Sequence, residues 1–267
     1  MSHDPTNTRE PRPTVKRFLA GVASAACLMT LGSGAFAQES HPHWTYVGAT
    51  GPAQWGSLEK EYSACAVGRA QSPIDIRDTT AKPADLPPID FHYKPSPLKI
   101  IDNNHTVQID YEPGSFITAN GKQYRLVQFH FHRPSEERLN GKRYPMVAHL
   151  VHKDAAGKLA VVAVLLATGP QNPLIKTLWN NLPREKEIEV SLEQVEINVA
   201  DLLPKDKAYY TFTGSLTTPP CSEGVTWFVL KHPESISGDE VARFSKLYPM
   251  NARPVQPLNG REVKTSH

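Results

Sequence analysis

Between residues 98 and 231 the chain is divided into nine short runs rich in β-branched and aromatic residues, and few architectures can absorb so many strands. The runs are "LKIIDN", "HTVQIDY", "SFITANG", "QYRLVQFHFH", "MVAHLVHKD", "KLAVVAVLLATG", "IEVSLEQVEI", "YYTFTGSL" and "GVTWFVLK". Pro113-Gly114, Asn120-Gly121, Asn140-Gly141 and Ala156-Gly157 separate several of them, and such turn pairs favour neighbouring antiparallel strands. Helical patterns are few: "NPLIKTLWNNL" around Trp179, and "SGDEVARFSKLY", which starts at a Ser237 cap with Glu240 three residues on. No internal repeat and no Gly/Ser linker divides the chain. The pattern predicts a mainly β (α+β) single domain with a large, mostly antiparallel sheet and small peripheral helices.

The first 37 residues stand apart from this domain. Lys16-Arg17 precedes the apolar run "FLAGVASAACLMTLGSGAFA", and a polar sequence begins at Gln38. That is the layout of a cleavable signal peptide, residues 1–37, with cleavage after Ala35-Phe36-Ala37 and a mature domain at 38–267. A retained anchor is disfavoured because Gly21, Ser24, Gly32, Ser33 and Gly34 dilute the run. A lipoprotein signal at Cys27 lacks the large aliphatic residue expected three positions earlier. The expected location is periplasmic or secreted, with no stable membrane anchor after cleavage.

Cleavage removes Arg9, Arg12, Lys16, Arg17, Asp4 and Glu10, so 29 basic and 27 acidic residues become 25 of each. A neutral domain with no basic stripe excludes a nucleic-acid partner. Only Cys65 and Cys221 remain, and in an oxidising compartment they read as a disulfide, the alternative being two buried free thiols.

The fourth run is the most informative chemically. Alternation along a strand points Leu126, Gln128, His130 and His132 one way and Val127, Phe129 and Phe131 the other. The second set is a core face, so the polar set must line a cavity or hold something. Histidines two apart on a strand have Cα atoms about 6.6 Å apart, and both imidazoles can reach one metal ion at about 2.0–2.1 Å. The next run adds His149, on a face with Val147 and Val151, and His152, on a face with Ala148 and Leu150. Only one of these two can complete a site, and periodicity does not choose between them. Three neutral imidazoles with no thiolate suit Zn²⁺ and leave a fourth, catalytic position open.

With these residues in view, the chain resembles the α-class carbonic anhydrases along nearly all of its mature length. The ordered motifs are "HWTYVG", "QSPIDI", "NNHTVQI", "QFHFHRPSEE", "AHLVH", "SLTTPPCSEGVTW" and "NARPVQPLNGR". The family is itself the standard example of a three-histidine zinc site. The resemblance implies a twisted central sheet of about ten strands with the metal at the bottom of a conical cleft. It assigns one Zn²⁺ to His130, His132 and His149, choosing His149 over His152. The implied activity is reversible hydration of carbon dioxide to bicarbonate and a proton, by attack of zinc-bound hydroxide. The implied partners are carbon dioxide, water and bicarbonate, and a homodimer is compatible with all of this.

Further roles follow from the same resemblance. Thr217 accepts from the nucleophile and donates to Glu136, which aims the attack, and His105 shuttles the proton to buffer because imidazole titrates near neutral pH. Val151, Val161, Leu216, Val225 and Trp227 match an apolar substrate pocket, and Tyr46, Asn103, Gln108, Gln128 and Thr218 a polar lining. One position departs from the family pattern. Where a glutamate two residues before the third ligand would accept from its outer nitrogen, this chain has Val147. His149 is therefore expected to have only water or a backbone carbonyl as outer partner. Gln128 matches the partner of the first ligand, with Glu137 and a carbonyl near Asn259 as further candidates for the others. The competing readings are a metal-free binding scaffold, opposed by the intact ligand set, and a zinc hydrolase, opposed by the lack of a His-Glu-x-x-His helix.

Overall fold

The computed structural model describes residues 43–266, and the signal segment expected at 1–37 lies outside them. Ten strands hydrogen-bond edge to edge: β1 (Lys82–Pro83), β2 (Ser96–Asp102), β3 (Val107–Asp110), β4 (Lys122–His132), β5 (Met146–Lys153), β6 (Leu159–Thr168), β7 (Val190–Ile197), β8 (Tyr209–Ser215), β9 (Glu223–Leu230) and β10 (Lys264–Thr265). Their spatial order is β7-β2-β3-β4-β5-β6-β9-β8-β10-β1. Two of the neighbouring pairs, β6 with β9 and β10 with β1, are parallel, and the others are antiparallel. Short strands at Asp90–His92, Phe116–Ala119 and Glu234–Ile236 attach to this sheet. All nine runs read from the sequence form strands, and Asn120 and Gly121, both at positive φ, close the hairpin into β4.

The helices are α1 (Trp55–Leu58), α2 (Ala64–Val67), α3 (Pro173–Asn180) and α4 (Gly238–Leu247). The Asn172 side chain accepts from Leu174 N and Ile175 N at 3.0 and 3.1 Å, and Pro173 occupies the first turn, where its missing N–H costs nothing. In α4 the Ser237 side chain accepts from Glu240 N while Glu240 accepts from Ser237 N, the reciprocal cap that the sequence predicts.

Both faces of the central strands are covered. One core contains Phe129, Phe131, Ala148, Leu150, Val162 and Phe228, closed by Trp179 of α3 and Phe244 of α4. The Trp179 ring lies 5.0 Å from that of Phe131. Phe131 is fully buried, and Phe131→Ala would cost about 3–5 kcal/mol through lost transfer energy and the cavity left behind. The opposite core contains Val147, Val161, Ala163, Val225 and Trp227. Because β6 is sandwiched between the two, "LAVVAVLLAT" shows no polar alternation.

One expectation about facing fails. Leu126 packs in the first core with Phe129, not beside Gln128. Val151 pairs with Gln128 and His152 with Leu126, so Val127 is an extra residue in β4, a bulge. The parity inverts there, which turns Leu126 to the first core. Beyond the bulge alternation resumes, placing His130 opposite His149 and His132 opposite Val147 across the β4/β5 ladder.

Candidate metal centre

His130, His132 and His149 emerge on the face of the second core, each with one ring nitrogen within 4.8 Å of the others'. The opposite nitrogen of each ring is taken. His130 Nδ1 pairs with Gln128 Oε1 at 2.8 Å, and His132 Nδ1 donates to the Asn251 carbonyl at 2.7 Å. His149 Nε2 donates to both Glu137 oxygens at 3.1 Å. Carbonyl and carboxylate oxygens accept, so these partners take up one nitrogen of each ring and leave His130 Nε2, His132 Nε2 and His149 Nδ1 as the nitrogens that converge. His132 Nε2 is buried with no hydrogen-bond partner.

The surroundings call for a cation. Glu136 and Glu137 are both fully buried, and Glu136 Oε2, which has no hydrogen-bond partner, lies 3.5 Å from His132 Nε2 and 3.9 Å from His149 Nδ1. Two dry carboxylates beside three imidazole lone pairs are costly alone and are offset by a dication such as Zn²⁺. Burial pushes the Glu136 carboxyl up to about 7, with Glu137 adding to the rise and His149, Thr217 and the Arg253 N–H opposing it. Burial, then the neighbouring His149, holds His130 down to about 3, the neutral form that a metal ligand requires. For His149 burial acts downward, but the charges and hydrogen bond of Glu137, with Glu136, leave it raised.

Loop residues frame this centre. Arg253 N donates to Glu136 Oε1 at 2.7 Å, and its buried guanidinium spans Gln71 Oε1, the Ser72 carbonyl and the Cys65 carbonyl. Asn251 accepts from Arg133 N and donates to the Phe131 and His105 carbonyls, tying the ligand strand to the turn that bears His105. Cys65 and Cys221 form a disulfide with Cα atoms 5.1 Å apart, joining α2 to the loop that carries Thr217 and Thr218. Closing 156 residues is worth about 5 kcal/mol in the chain-entropy account.

Above the histidines opens a cavity of about 140 Å³ lined by Trp44, Tyr46, Asn103, His105, Thr106, Gln108, Gln128, His130, His132 and Thr218. It gathers His105 and the whole polar lining read from the sequence. Thr217 is buried and its side chain bears on Glu136. Val151, Val161, Leu216, Val225 and Trp227 lie together in the second core, not on this polar wall, and Trp227 stands edge-on to His149 at 5.0 Å. The His105 ring stacks on Trp44 at 3.5 Å and on His43 at 4.7 Å. Burial, aided by His43 and Lys186, pushes it down to about 4, away from the neutral value expected of it.

Two expectations about outer partners are corrected. His149 is not left to water or a backbone carbonyl, because Glu137 folds back from the turn after β4 to take its Nε2. The carbonyl on His132 belongs to Asn251, not to the region of Asn259, whose side chain instead bonds the Arg69 carbonyl. His152 faces the other core, where its Nε2 pairs with the Tyr93 hydroxyl at 2.8 Å. Sequence reasoning gave Trp44, Asn251 and Arg253 no role. Their signals are the motifs "HWTYVG" and "NARPVQPLNGR", which place them in order without saying what they touch.

Comparison with known proteins agrees with this geometry. The family model described as eukaryotic-type carbonic anhydrase matches residues 50–267. A carbonic anhydrase from Klebsiella pneumoniae is 48% identical over 225 residues, 83% of this chain and 90% of that protein. One from Neisseria gonorrhoeae is 41% identical over 253 residues, 94% of this chain and 99% of its own. The structure of the α-carbonic anhydrase of Thermovibrio ammonificans, in complex with the inhibitor sulfanilamide, superposes with a TM-score of 0.80 at 42% identity, covering 83% of this chain and 98% of that one.

Proposed function

Since the chain belongs to the eukaryotic-type, or α-class, carbonic anhydrase family and is a zinc lyase that hydrates carbon dioxide reversibly, we propose the following division of labour among its residues. His130 Nε2, His132 Nε2 and His149 Nδ1 hold one zinc ion. When bound, zinc supplies the Lewis acidity that makes water nucleophilic near neutral pH. The observation that carries the assignment is the set of three convergent nitrogens, each backed on its far side by an acceptor.

Thr217 orients the attack. Its hydroxyl donates a hydrogen bond to Glu136, which the Arg253 N–H holds in place, and so presents only a lone pair to the attacking water. Val151, Val161, Leu216, Val225 and Trp227 supply an apolar wall for carbon dioxide, which carries no charge to clamp. Tyr46, Asn103, Gln108, Gln128 and Thr218 hold a file of water between the histidines and the cavity mouth. His105 takes the product proton outward along that file. On the face of Trp44 its charged form is disfavoured by burial and by His43 and Lys186, which eases release of the proton to buffer but opposes its uptake.

The domain acts after export. The Cys65–Cys221 bond supports a compartment that permits disulfides, and the signal segment 1–37 accounts for delivery to the periplasm or beyond. Among the described residues no helix is long and apolar enough to cross a membrane.

Stopped-flow hydration of carbon dioxide on protein of known zinc content, with and without chelator, tests the metal assignment. His105→Ala tests the shuttle: turnover should fall in weak buffer with kcat/KM nearly unchanged, and imidazole should restore it. Equal turnover in weak and strong buffer would remove His105 from the proton path.

A further inference from the structure

We propose that Glu137 is a positioning residue for the metal centre, supplying from the turn after β4 the outer carboxylate that position 147 cannot supply as valine. The inference rests on the zinc reading above and concerns how the third ligand is oriented. An imidazole can turn about its Cβ–Cγ bond, which puts a ring carbon where each nitrogen stood, so a ligand histidine needs something on its outer nitrogen to hold the ring in place. Both Glu137 oxygens stand 3.1 Å from His149 Nε2, placed to accept from it. The proton is therefore fixed on Nε2, and Nδ1 is turned toward His130 and His132.

The turn that carries Glu137 is itself held. The Ser135 hydroxyl donates to the Glu137 carbonyl at 2.8 Å and accepts from Tyr144 N at 2.9 Å, while Ser135 N donates to the Tyr144 carbonyl at 3.0 Å. The adjacent carboxylates diverge: Glu136 is bound by Arg253 N, and Glu137 reaches only the His149 ring. Among the described residues no other carboxylate lies within 4.0 Å of His149 Nε2. Val147 faces the same side as His149, two residues earlier, and is fully buried among apolar neighbours. A carboxylate at 147 would find the Nε2 proton already taken. Glu137 and Val147 thus form a matched pair in which only one position bears the charge.

The test loads wild type, E137Q, V147E and the double variant E137Q/V147E with zinc and follows release to a chromogenic chelator, with a thermal midpoint for each. E137Q should lose zinc about 10–100-fold faster than wild type. V147E alone should release it no more slowly than wild type and melt lower, having gained a third dry carboxylate. The double variant should recover most of the loss, a result that a merely structural role for Glu137 would not produce. The proposal is overturned if folded E137Q releases zinc at the wild-type rate, if the double variant shows no recovery, or if V147E alone slows release. Should E137Q fail to fold, V147E alone decides, since slower release would mean that Nε2 had been free. A wild type that takes up no zinc overturns the metal reading itself, an outcome distinct from all of these.

Discussion

His149 and His152 sit three residues apart on β5, and both are buried to within 1% of full exclusion from solvent. They have opposite characters. His149 lies on the face toward Trp227, with Glu136 and Glu137 beside it, and its basicity is raised despite burial. His152 lies on the face toward the first core with only the Tyr93 hydroxyl as partner, and burial holds it down to about 3. Burial alone therefore says nothing about a histidine's role. What decides is whether the far nitrogen is held by an acceptor while the near one converges with the other two rings, or whether the ring simply completes a packed layer.

The largest expected effect separates the two outright. His149→Ala should reduce zinc from about one per chain to near none and hydration to background, by metal analysis and stopped flow. His152→Ala should retain both while losing about 1–3 kcal/mol from the unpaired Tyr93 hydroxyl, beyond the cavity it opens. The reverse outcome would mean that the strand faces are misassigned.

A smaller effect appears in acid. The folded value of His152, about 3, lies below its ordinary 6.5, so the unfolded chain binds the additional proton. The penalty is absent above pH 6.5 and grows as pH falls toward 3, reaching about 2 kcal/mol at pH 5. In zinc-loaded His152→Gln, the drop in unfolding free energy between pH 7 and pH 5, from urea titrations, should shrink by that amount. An unchanged drop would place the acid sensitivity elsewhere. The smallest expected effect is that of Tyr93→Phe, which removes one hydroxyl from the His152 side: about 1 kcal/mol of stability and no change in zinc release. Faster release from this variant would show that the two faces communicate.

Much of this arrangement is legible in the sequence, and the illegible parts have physical reasons. Alternation marks β4 and β5 because each has one apolar face, and Ser237 with Glu240 marks a helix start because the cap is local. The bulge at Val127 is hidden, since an extra residue is defined by its partner strand and not by its own chemistry. The choice of His149 over His152 was likewise closed to periodicity and needed the resemblance. That resemblance then misled at Val147, because a carboxylate can reach the same ring nitrogen from a folded-back turn. Asn251 and Arg253 were invisible as partners because their contacts span 119 and 117 residues.

Those two long-range contacts also set an order of events in time. Ribosomes extend a chain from its N-terminus at roughly 5–20 residues per second, so the last ligand, His149, precedes Asn251 and Arg253 by roughly 5–20 seconds. Throughout that interval every atom that would bind the metal exists, while the carbonyl that aims His132 and the N–H that steadies Glu136 do not. A nascent chain thus holds three histidines and no preorganised centre. A chain cut short before residue 251 would carry all three ligands without the frame that makes them a site.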